Sequence, residues 1–165
     1  GSYFTRGSSH DDKAAYTEDG DIYAEVMDRI ALKFKSSVKY LPEPEISGMA
    51  KNPLGMIYLG TTASAIQEVL DNIAKKGIAL DTLRIKSFPF HQSIKEFIDK
   101  HELVYVIEQN RDAQLKSLLK IECNADEGQI HSILNYNGVL ITAQQIEREI
   151  LSSMPTIKDA KNVQA

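Results

Sequence analysis

Hydrophobic and polar positions along the chain alternate between two periods, and the switch between them draws the fold. Leu103-Val104-Tyr105-Val106-Ile107 is an apolar run too short for a helix and rich in β-branched and aromatic side chains, which predicts a strand buried on both faces. A polar loop, Glu108-Gln109-Asn110-Arg111, follows at once, and Asp112 opens a pattern with Leu115, Leu118 and Leu119 on one helical face. The same step recurs upstream. Residues 54–60 predict a buried strand, and 61–76 a helix with Ile66, Val69, Leu70 and Ile73 on one face and Gly77 as its stop. Its cap is Ser64, which has capping-box spacing to Gln67, or else Thr61 or Thr62. Residues 79–85 predict the next strand, and Ile94, Phe97 and Ile98 mark the helix after Phe88-Pro89-Phe90. A short strand at 129–134, a turn at Asn137-Gly138 and a last helix capped by Thr142, carrying Ile146, Ile150 and Leu151, complete the series.

Strands alternating with helices predict an α/β protein, a three-layer α/β/α sandwich around a mostly parallel sheet. One element stands outside the rhythm. Ile22, Val26, Ile30 and Phe34 lie four residues apart on a helix that Asp19 or Asp21 caps, and Pro42 and Pro44 close it with an extended link. The chain thus divides into a connector loop at 1–20, a connector helix at 21–41, the sandwich at 42–155 and a polar, frayed tail at 156–165.

Composition narrows the function classes. The 165 residues carry a formal net charge of -4 and show no basic stripe, which argues against a general nucleic-acid binder. No apolar run approaches the roughly 18 residues of a membrane span. One cysteine, Cys123, excludes an internal disulfide, fits a reducing cytoplasm and leaves no thiol set for an iron–sulfur cluster or structural zinc. His91, His101 and His131 are scattered without metal-ligand spacing. Gly60-Thr61-Thr62-Ala63-Ser64 is a strand-to-helix turn able in principle to take a phosphate on helix N–H groups, although it lacks the dinucleotide and Walker patterns.

Four stretches resemble the C-terminal part of the α subunit of 2-oxoacid:ferredoxin oxidoreductases. They are Phe4-Thr5-Arg6-Gly7-Ser8-Ser9-His10-Asp11, Tyr16-Thr17-Glu18-Asp19, residues 106–115 (VIEQNRDAQL) and Ser132-Ile133-Leu134-Asn135-Tyr136-Asn137-Gly138. The third is the most specific and is most similar to the 2-oxoglutarate branch; the match is weaker at Asn135. The resemblance implies a transketolase C-terminal-domain-like fold, a five-stranded mixed sheet with one antiparallel edge strand. It implies a thiamine-diphosphate enzyme that decarboxylates a 2-oxoacid, passes electrons to ferredoxin and forms an acyl-CoA. A pyrimidine-binding domain is then expected upstream. The magnesium-bound diphosphate and the iron–sulfur cluster are expected in partner parts such as the β subunit, leaving this chain inactive alone, with no cofactor, metal or catalytic residue of its own.

Within that resemblance Arg6 is the candidate for holding a substrate carboxylate, since a planar guanidinium grips a carboxylate bidentately. Thr5 adds a hydroxyl donor. His10 reads either as a donor near the same place or as a surface histidine beside two aspartates, the second being favoured. Glu108, Gln109, Asn110 and Arg111 form the candidate interface, while the same loop also has residues suited to cap the next helix. The rival reading is a free-standing ligand- or nucleotide-binding module built on the Gly60–Ser64 turn.

Overall fold

The computed structural model describes residues 9–48 and 52–162, residues 155–162 as backbone only. The chain forms two compact units, Gly1–Leu41 and Pro42–Ala165. In the first, α1 (Gly20–Ser36) starts where Asp19 accepts from the backbone N–H of Asp21 at 2.9 Å and of Ile22 at 3.3 Å. Asp19, not Asp21, is therefore the cap. The helix ends before the prolines, in a 3₁₀ turn at Ser37–Tyr40.

The second unit holds a five-stranded sheet in the order β1-β3-β2-β4-β5. The strands are β1 (Glu45–Ser47), β2 (Leu54–Leu59), β3 (Asp81–Ile85), β4 (Leu103–Glu108) and β5 (Ile130–Leu134). β2, β3, β4 and β5 run parallel, with Ile57 opposite both Leu83 and Val106. β1 is the antiparallel edge, Ile46 opposite Leu83. Sequence periodicity reads this stretch as an extended link; three residues after Pro44 carry no pattern of their own, and pairing with β3 makes them a strand.

Alternation along the strands sorts the core into two layers. Met56, Tyr105, Ile107 and Ile133 point to one face, where Ile66, Val69 and Ile73 of α2 (Ala63–Ala74) and Ile146 and Ile150 of α5 (Ala143–Asn162) cover them. Ile57, Leu83, Val104 and Val106 point to the other, under Ile94, Phe97 and Ile98 of α3 (Gln92–Asp99) and Leu115, Leu119 and Cys123 of α4 (Gln114–Cys123). The result is the expected three-layer sandwich. Gly77 stops α2 at φ +74°, a left-handed conformation that glycine adopts without a Cβ penalty. Thr142 caps α5 by accepting from the N–H of Gln145 at 3.2 Å. The α5 backbone stays helical through Pro155 to Asn162, beyond the point where the sequence places a frayed tail; the lysines and alanine after Pro155 are good helix formers.

Leu118 is only half-buried, whereas Leu119 has no exposed surface. Leu119→Ala should therefore cost about 2–5 kcal/mol in urea melts. Leu118→Ala should cost clearly less, and equal losses would place the α4 face wrongly.

Candidate functional site: the carboxyl-edge tip of the sheet

After β2 the chain leaves for the α2/α5 face; after β4 it leaves for the α3/α4 face. The carboxyl ends of these adjacent strands form the topological switch point, where open α/β sheets tend to bind ligands or partners. The side chains that the sequence singles out after β4 meet there.

Glu108, the last residue of β4, is 2% exposed. Its carboxylate accepts from the N–H of Leu115 at 2.6 Å and of Lys116 at 3.0 Å. Those are first-turn donors of α4, which have no partner inside the helix. A third donor, Asn110 Nδ2, reaches the same carboxylate at 2.7 Å. Three donors offset the desolvation of a buried charge, and the positive end of the helix favours it. Asn110 Oδ1 also accepts from the N–H of Asp112 at 3.1 Å and of Gln114 at 3.3 Å. The residue at the usual cap position, Ala113, is left-handed at φ +49° and makes no side-chain cap bond. The sequence opens this helix at Asp112; instead Asp112 pairs with Arg111 Nε at 2.7 Å and holds that guanidinium above its ordinary pKa.

Gln109 spans the switch point. Its Nε2 donates to Thr61 Oγ1 at 3.0 Å and Thr62 Oγ1 at 3.2 Å, joining the loops after β4 and β2. α2 begins after a 3₁₀ turn at Gly60–Thr62 and has no side-chain cap bond, so the proposed caps Ser64, Thr61 and Thr62 do other work. Ser64 donates back to the Thr61 carbonyl at 2.8 Å. Beside Gln109, Asn135 is 4% exposed and donates to the Val139 carbonyl at 2.6 Å, while its backbone N–H binds the Glu108 carbonyl at 2.9 Å. This fixes a loop that displays Tyr136, Val139 and Leu140, each about two-thirds exposed.

Of the four residues grouped as an interface from sequence, Gln109 and Arg111 face solvent, Asn110 is half-buried and Glu108 is inside. Glu108 therefore holds the loop from beneath. Arg6 and Thr5 lie outside the described residues. His10 bridges to Tyr16 in the first unit, with Nδ1 2.8 Å from the Asp11 carbonyl oxygen. Among the described residues no group of three or more His, Cys, Asp or Glu side chains could hold a metal ion, and no helix is long and apolar enough to cross a membrane. Sequence reasoning passed over a buried contact at the opposite end of the sheet, where His101 Nε2 lies 3.3 Å from Asp81 Oδ2. An aspartate set into the apolar run of β3 was its one signal.

No protein-family model matches the chain, and no curated protein does. Solved structures do. The chain is similar to 2-oxoglutarate:ferredoxin oxidoreductase from Magnetococcus marinus, solved with 2-oxoglutarate, coenzyme A and succinyl-CoA bound: TM-score 0.75 at 19% identity over 92% of this chain. It is also similar to a split-gene transketolase described as an inactive β4 tetramer, at TM-score 0.56 and 14% identity over 68% of this chain. The α chain of a probable 2-oxoacid ferredoxin oxidoreductase from Thermoplasma acidophilum aligns over 67% of this chain and 95% of its own, at 24% identity and TM-score 0.46. The fold is the one found in the Magnetococcus and transketolase structures: a mostly parallel five-stranded α/β domain like that in transketolase. The chain spans 26% of the Magnetococcus chain and 41% of the transketolase chain.

Two outcomes follow from this geometry. Glu108→Ala should lower stability by about 1.5–3 kcal/mol or more, the scale of lost hydrogen bonds to a charged group, while Gln109→Ala should cost about 0.5–1.5 kcal/mol. Urea melts compare them, and the reverse order would deny Glu108 its capping role. Burial pushes the Cys123 thiol up to about 11, so thiol reagents at pH 8 should leave it unmodified until the chain is unfolded. Rapid labelling of the native chain would show that the end of α4 does not hold Cys123 against the sheet.

Proposed function

We propose that this chain is a structural and interface domain of a thiamine-diphosphate-dependent 2-oxoacid:ferredoxin oxidoreductase whose substrate is 2-oxoglutarate. There it supports oxidative decarboxylation to acyl-CoA with reduction of ferredoxin. The observation that carries the reading is the fold match over 92% of the chain to an enzyme of that activity, falling on a chain whose sequence resembles the same family. Thiamine diphosphate, when bound, supplies the nucleophilic carbon for decarboxylation. The Gly60–Ser64 turn does not suit its diphosphate: it contains no lysine or arginine, and both threonine hydroxyls are engaged by Gln109. The same commitments weaken the rival reading of a free-standing nucleotide-binding module. Thiamine diphosphate, magnesium and the iron–sulfur cluster are accordingly assigned to a pyrimidine-binding domain and a β subunit outside this chain, which alone would be inactive.

In this reading Gln109, Asn110 and Arg111 meet the neighbouring part of the enzyme, on a tip that Glu108 keeps rigid. Arg6 holds the substrate carboxylate bidentately and so orients the 2-oxo carbon, with Thr5 as a further donor. Assembled with its partners, the chain should support ferredoxin reduction by 2-oxoglutarate and CoA; no turnover of any 2-oxoacid would refute the function. A charge-assisted contact contributes about 1.5–3 kcal/mol. Arg6→Ala should then lower kcat/KM for the 2-oxoacid by about ten- to a hundredfold. Unchanged kinetics would make Arg6 a solvated loop residue.

A further inference from the structure

In the first unit, Tyr23, Met27, Ile30 and Phe34 of α1 recur at intervals of four, three and four residues and so share one side of the helix. Each is between 45% and 51% exposed. Apolar residues scattered singly over a surface are ordinary, whereas a continuous stripe marks a face that meets a partner. The flank beside it is different. Val26 is buried there, and Asp11 and Asp12 line a cavity of about 440 Å³ together with Ile22, Glu25, Val26 and Arg29.

Charge in this unit is sorted along the chain. Residues 9–28 carry seven acids and one lysine, and residues 29–40 carry four bases and no acid. The stripe is symmetric about the peptide between Asp28 and Arg29: Tyr23 and Phe34 stand equally far from it on either side, and so do Met27 and Ile30. A two-fold axis at that point makes the stripe complementary to itself, with Tyr23 against Phe34 of a second copy and Met27 against Ile30. The same rotation lays the acidic half of each copy along the basic half of the other and opposes the two helix dipoles. The dipole of a lone helix also favours acids early and bases late, but it gives no reason for the stripe between them.

We propose that α1 is a self-association surface, on which two copies of this chain pair antiparallel through the stripe from Tyr23 to Phe34. A parallel pair would set Asp21 beside Asp21 and Lys33 beside Lys33, so the charge pattern selects the antiparallel direction. The stripe runs only about 16 Å along the helix, and contacts of that size hold weakly, so the dimer forms and parts with concentration. The proposal does not rest on the oxidoreductase reading.

The test is sedimentation equilibrium of the full chain over a range of about 1–200 μM, which brackets weak association. The average mass should climb from the 18.4 kDa of one chain toward twice that value. A mass that stays at 18.4 kDa throughout would overturn the proposal, and this result needs no variant. Ile30→Lys puts a charge in the middle of the seam and should abolish the dimer. Leu32→Lys, on the opposite side of the helix, should leave it intact. Both positions are exposed, so α1 should stay folded, which circular dichroism checks. A dimer that survives Ile30→Lys, or one lost in both variants, would overturn the assignment to this stripe. Lys33→Glu combined with Lys35→Glu reads the direction. In an antiparallel pair it sets acids against acids and should weaken association about tenfold or more. In a parallel pair one set of like charges would replace another, so unchanged affinity would overturn the antiparallel arrangement.

Discussion

One buried carboxylate organises the carboxyl-edge end of the sheet. Glu108 closes β4 and satisfies the amides seven and eight residues later in the chain, in the first turn of α4. Helix starts are ordinarily capped by the residue next door. Here the cap comes from the strand, so the strand end and the helix start are tied directly and the intervening loop is closed between them. Asn110 completes the closure by bonding the carboxylate with one end of its amide and the loop N–H groups with the other. The conformation of residues 109–113 follows from that tie, including the left-handed Ala113.

The tie has consequences across the sheet. With Glu108 fixed, Gln109 is aimed at the Thr61 and Thr62 hydroxyls, and the loops that diverge at the switch point are joined there. The Glu108 carbonyl holds the N–H of Asn135, which in turn sets the Tyr136–Leu140 loop. A rigid ledge of amide, guanidinium, aromatic and aliphatic groups results. Tyrosine and arginine are the residue types that dominate contact energies at protein interfaces, and a preset loop loses little entropy on docking. That is the physical basis for the proposal that the tip is a surface that meets another part of an enzyme, in preference to a pocket that performs chemistry.

The sheet and its layers were legible because buried parallel strands and amphipathic helices carry strong, different periods. β1 carried no such period, since three residues after two prolines acquire strand geometry only from β3; the antiparallel edge was expected from the family resemblance alone. In the loop after β4, the residue types pointed to caps and contacts together, but sequence distance hid which did which. Local rules favoured Asp112 as the start of the helix, whereas the fold brought Glu108 to it from seven positions away. The same blindness to long-range pairing hid Asp81 and His101, twenty residues apart yet 3.3 Å from each other.

The claim that Glu108 caps α4 from beneath the tip is tested most directly by hydrogen exchange at the Leu115 and Lys116 amides. First-turn amides of a helix lack intrahelical partners and ordinarily exchange quickly when exposed. The account predicts that these two exchange as slowly as amides in the interior of α4, and that Glu108→Gln speeds them while the centre of β4 stays protected. Fast exchange of both amides in the unaltered chain would contradict it.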